Sequence, residues 1–116
     1  MTSVDFASLV DRYVSIWNLP DEARTAELAE VFTADVYYAD PTVTTRGQRE
    51  LDRYIGVTRR RFGGMRFGVA GRIDGHHDQV RFGWHCGPAG GDPVVAGFDV
   101  ALLEGGRIRA IHGFFD

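Results

Sequence analysis

Residues 94–115 read VVAGFDVALLEGGRIRAIHGFF, and the reading of this stretch decides the fold. Two runs of strand character, Val94 to Glu104 and Arg107 to Phe115, are joined by Gly105-Gly106. A two-residue glycine pair between such runs is the signal of a tight antiparallel hairpin, whose central positions take positive φ. Further back, Gln79 to Gly87 and Met65 to Asp74 have the same character, separated by Gly75 to Asp78 and Pro88 to Pro93. Four strands in succession predict an antiparallel meander. Glycines stand inside them at 68, 71, 83, 97 and 113. Interior glycine marks bulges and bends, so the sheet is expected to curve strongly around a cavity.

The N-terminal half has a different period. Phe6, Leu9, Val10, Tyr13, Val14 and Trp17 fall at helical spacing, which puts Tyr13 on a buried face. Pro20-Asp21 restart a second helix, with Asp21 as the expected N-cap and Leu28, Val31 and Phe32 turned inward. Asp35 to Asp40 alternates as a short strand, stopped by Pro41, which lacks a ladder donor. Leu51, Tyr54, Ile55, Thr58 and Phe62 mark a third helix, closed by Gly63-Gly64. The expected architecture is α+β: three N-terminal helices packed on one face of a strongly curved antiparallel sheet. The 116 residues are expected to form a single domain, 1–116, large enough to bury a core without disulfides or a structural metal.

Composition narrows the chemistry. The net charge of -3 argues against nucleic acid or an anionic membrane as partner. The apolar run Val94 to Leu103 is interrupted by Asp99 and is too short to span a bilayer. With no basic head and apolar run at the N-terminus, a cytoplasmic location is expected. All 13 basic residues are Arg, so lysine Schiff-base chemistry is excluded. Ser occurs only at positions 3, 8 and 15, none in a strand-turn-helix elbow, and Cys86 is alone. Asp, Glu, His, Tyr and Arg remain for chemistry, with no metal and no cofactor expected.

Asp99 is the single ionisable residue in its apolar run. A buried carboxylate must find a cation, for example Arg81 or Arg109, or take up a proton. A neutral acid there becomes a hydrogen-bond donor able to stabilise an oxyanion. Asp40, before Pro41, reads either as a turn residue or as a carboxylate at a cavity mouth, placed to act as a base. Tyr13 reads as a core tyrosine or an oxyanion donor. His85 and His112 read as packed or pocket-lining histidines, and His76-His77-Asp78 as a turn. Arg59-Arg60-Arg61, between the inward Thr58 and Phe62, read as a solvated helix face.

The runs Asp11-Arg12-Tyr13-Val14-Ser15-Ile16-Trp17-Asn18, Tyr38-Ala39-Asp40-Pro41 and Val94-Val95-Ala96-Gly97-Phe98-Asp99 resemble ketosteroid isomerase. The whole chain resembles the nuclear transport factor 2-like superfamily, including the SnoaL-like polyketide cyclases. The resemblance implies a cone-shaped, cystatin-like roll with an internal pocket, usually a homodimer. It also implies Asp40 as general base, with Tyr13 and a protonated Asp99 as the oxyanion hole. The implied reaction is a cofactor-independent proton shift on a hydrophobic ketone or enone, with Trp84, Phe82, Tyr38, Tyr54, Phe114 and Val95 lining the pocket. The alternatives are a polyketide cyclase and a non-catalytic small-molecule carrier or dimeric scaffold.

Overall fold

The first helix, α1 (Phe6–Ile16), begins where the Asp5 carboxylate accepts the backbone N–H of Ser8, satisfying one of the orphan donors of the first turn. This is seen in a computed structural model that describes residues 4–116; Ser3 lies outside the described residues. Helix α2 (Asp21–Val31) is capped by the extended backbone of Pro20. The expected cap, Asp21, is instead the first helical residue, and its carboxylate pairs with Arg24 at 2.7 Å. Arg24, only 3% exposed, also holds Asp52 at 2.6 Å and the Leu19 carbonyl at 3.1 Å. That buried guanidinium joins α2 to α3 (Gln48–Arg61). Arg12 and Glu27 form a two-pronged pair that ties α1 to α2.

Six strands follow or interleave: β1 (Phe32–Asp40), β2 (Val43–Arg46), β3 (Met65–His76), β4 (Gln79–Pro88), β5 (Val95–Glu104) and β6 (Arg107–Phe115). Their order across the sheet is β2-β1-β6-β5-β4-β3. The meander β3 to β6 is antiparallel as expected, and Gly105 and Gly106 both take positive φ in its last turn. The expectation of a wholly antiparallel sheet is corrected at one seam. There β1 runs parallel to β6, with Tyr38 opposite Ile111 and Ala39 opposite His112, so the sheet is mixed. The other correction is β2, a four-residue strand beyond Pro41 that pairs back onto β1.

The register shifts between Phe32 and Tyr37, between Ala70 and Asp74, and between Leu102 and Leu103. Such irregularities bend strands and raise local twist; of the glycines inside the strands, Gly71 falls at one of them. The helices cover the concave side, where Val10, Val14, Leu28, Leu51, Ile55 and Ile111 are buried together. Among the described residues, no helix is long and apolar enough to cross a membrane.

Candidate active site

A cavity of about 130 Å³ opens between α1, α3 and the concave side of the sheet. Trp17, Phe67, Trp84 and Phe115 make its aromatic walls. The Asn18 side-chain amide helps to set their spacing: it donates to the Phe67 carbonyl at 2.9 Å and accepts the Phe67 N–H at 2.8 Å. β3 is an edge strand, and the amide of Asn18 takes the place of a further strand against it.

Asp99 lies in the cavity wall, 5% exposed. The Trp84 indole Nε1–H donates to its Oδ1 at 3.0 Å and the Tyr13 hydroxyl to its Oδ2 at 3.3 Å. Neither arginine considered as its counter-ion reaches it: Arg81 pairs with Asp74 and Arg109 with Asp78. Burial pushes the Asp99 carboxyl up to about 7, helped by the charge of Asp40 and opposed by the bonds from Trp84 and Tyr13. An indole N–H can only donate, so Oδ1 must accept, and a proton on the acid belongs on Oδ2. Tyr13 is packed edge-on between Phe32 and Phe82, each at 5.8 Å, and burial raises its phenol well above the ordinary value. It therefore stays a neutral donor. With Oδ2 protonated, two hydroxyl groups stand side by side, each free to turn its hydrogen toward a third oxygen in the cavity.

Asp40 ends β1 as expected, and the bond from the Thr42 N–H to its Oδ1 at 2.8 Å is that of an aspartate turn. The Thr42 hydroxyl reaches the same oxygen at 2.8 Å. Oδ2 accepts from two phenols, Tyr38 at 2.7 Å and Tyr54 at 2.8 Å. Burial raises both phenols, so they donate rather than ionise. The two carboxyl groups meet over Gly113: a Cβ placed there would lie 2.9 Å from Asp99 Oδ1 and 3.5 Å from Asp40 Cβ. The absence of a side chain on β6 is what lets both acids face one space.

Of the other residues marked in the sequence, Trp84, Tyr38, Tyr54 and Val95 stand on the cavity lining. Phe82 does not: it shares the inner face with Asp99 but is packed against the Tyr13 ring. Phe114 lies on the outer face, 47% exposed and stacked on Phe98 at 4.8 Å. His85 lies against Gly68, and His112 packs on Tyr37 at 5.7 Å; neither lines the cavity. His76 and His77 touch through their Nδ1 atoms in an exposed turn. The triplet of arginines divides: Arg59 and Arg60 line a groove beside Asp21, while Arg61 lines the cavity. The spacing of Tyr54, Thr58 and Arg61, at i, i+4 and i+7, carried that signal.

The profile of the SnoaL-like domain family matches residues 10–111. A provisionally assigned isomerase of the SnoaL-like family from Agrobacterium tumefaciens is 33% identical, over 96% of this chain and 97% of that one, with a TM-score of 0.90. A provisionally assigned ketosteroid isomerase from Kribbella flavida has 16% identity and a TM-score of 0.71, over 94% and 76% of the two chains. A provisionally assigned polyketide cyclase from Sinorhizobium meliloti has 16% identity and a TM-score of 0.72, over 91% and 93%. At that identity the last two show the fold alone, that of the nuclear transport factor 2-like proteins. No curated protein matches the chain.

Proposed function

We propose, from the premise that the chain belongs to the SnoaL-like domain family, that it is a cofactor-independent proton-transfer enzyme acting on a hydrophobic ketone or enone. The observation that carries the reading is Asp99, a buried carboxyl held by an indole and a phenol and, among the described residues, paired with no guanidinium. Without a cation, the uncharged form is what burial favours, and that form can donate.

In this reading the substrate carbonyl oxygen sits between the Tyr13 hydroxyl and the protonated Oδ2 of Asp99. Asp40 removes a proton from the carbon next to the carbonyl, and negative charge builds on the oxygen, where both donors strengthen their bonds. The enolate or dienolate then takes the proton back from Asp40, at the same carbon or at the far end of the conjugated system. Nothing is oxidised or reduced. The enclosed volume, about 130 Å³, is near the ~150 Å³ of an engineered cavity that takes up benzene. It suits one ring of the substrate, with the rest in the mouth.

The fold shared with the Sinorhizobium meliloti protein keeps a second reading in play, in which the same enolate closes a ring by aldol attack. Asp40→Asn tests both: turnover of a cyclic β,γ-unsaturated ketone, or closure of a polyketide chain, should fall about 10²- to 10⁴-fold. Undiminished turnover refutes Asp40 as the base. The assay in which wild-type activity appears separates isomerase from cyclase.

A further inference from the structure

We infer that the ligand of this cavity carries a carboxylate at the end remote from its ketone, and that Arg61 receives it. The inference rests on the proposed reading only for which end of the ligand lies at Tyr13 and Asp99.

Arg61 is the last residue of α3 and points to the cavity because it follows Tyr54 and Thr58 on one helix face. Its neighbours Arg59 and Arg60 point elsewhere, Arg60 lying 4.0 Å from Asp21. Among the described residues, no carboxylate stands within ion-pair distance of Arg61. It is the single cation on a lining that is otherwise aromatic, aliphatic, hydroxyl or acidic. A lone guanidinium presents two parallel N–H groups, which match one carboxylate; no second basic side chain lines the cavity to complete a phosphate site.

Charge also fixes the direction of binding. The charge of Asp40 would repel a carboxylate at the sheet end of the cavity, while Arg61 attracts it at the α3 end. The neutral carbonyl then enters first. The ligand class is a keto acid or enone acid with an apolar body between its two polar ends. Arg61 selects and orients this ligand, and takes no part in the proton transfer.

The experiment uses 4-hydroxyphenyl alkanoic acids of two to six chain carbons, each beside its carboxamide, with binding read from the fluorescence of Trp17 and Trp84. The phenol stands in for the enol at Tyr13 and Asp99, and the chain length spans the unknown reach to Arg61. At the best length the wild-type protein should bind the acid about tenfold more tightly than the amide, a preference weakened by added salt. Arg61→Gln should abolish the preference, and Arg61→Lys should keep part of it. Equal affinity of acid and amide at every length, no binding of either, or a preference unchanged in Arg61→Gln overturns the inference. Amides that bind and are lost in Asp99→Leu, with no gain for the acids, would leave the oxyanion site standing and remove Arg61 alone.

Discussion

The indole N–H of Trp84 donates to Oδ1 of Asp99 at 3.0 Å, across adjacent strands, and so sets which oxygen of the acid is left to carry a proton. Because this bond favours the ionised carboxylate, Trp84→Phe should move the ionisation of Asp99 upward. The alkaline limb of the pH–rate profile should shift to higher pH. At its optimum, the variant should lose about tenfold in kcat, since Oδ2 is no longer held toward Tyr13. An unshifted limb would mean that Asp99 does not govern it.

Asp99 titrates at about 7 in the fold against an ordinary 3.8. Between these values the folded chain keeps a proton that the unfolded chain has released, so stability falls as pH rises through that window and levels off above it. The span corresponds to roughly 4 kcal/mol. Asp99→Asn has nothing to titrate, so urea unfolding from about pH 4 to about pH 8 should show the wild type losing stability relative to it. A pH-independent difference would refute the buried, protonated acid. The same variant keeps an N–H donor and should retain activity above pH 7, where the wild type declines.

Tyr38 and Tyr54 both donate to Oδ2 of Asp40, and either one can hold that oxygen in place. Tyr38→Phe and Tyr54→Phe should each lower kcat by less than about tenfold, with the double variant losing more than the product of the two. A double-mutant cycle on kcat measures it. Strictly multiplicative losses would mean that the phenols act independently.

Gly113→Ala would place a methyl group 2.9 Å from Asp99 Oδ1 and 3.5 Å from Asp40 Cβ. The overpacking should cost about 1–3 kcal/mol in chemical denaturation. It should also reduce turnover well beyond any loss explained by the unfolded fraction, because both acids are pushed off their positions.

Tyr13, Asp40 and Asp99 were legible because each breaks or ends a clear pattern: a phenol on a helix's apolar stripe, an acid at a strand end, an acid in an apolar run. The α+β order and the final hairpin were legible for the same reason, since periods of 3.6 and 2 and a Gly-Gly turn are local signals. The parallel seam between β1 and β6 was not, because it joins segments about seventy residues apart and leaves no local mark. The facing of Phe114 was equally hidden. β6 carries apolar residues on both sides, so alternation alone could not show that Phe115, and not Phe114, turns inward. Arg61 was concealed by Arg59 and Arg60, which make the triplet look like a solvated run; its i+7 spacing from Tyr54 was the one local signal that it shares that residue's face.

The last strand lies between the strand that bears Asp40 and the strand that bears Asp99. Like the keystone of an arch, β6 is the piece whose arrival turns two separate flanks into one chamber. The phenol and the buried acid are 86 positions apart in the chain, so the entropy of closing that span is met before they touch. On synthesis from the N-terminus, Tyr13, Asp40 and Asp99 are all made before β6, so the chamber they face closes only when that strand takes its place between the other two.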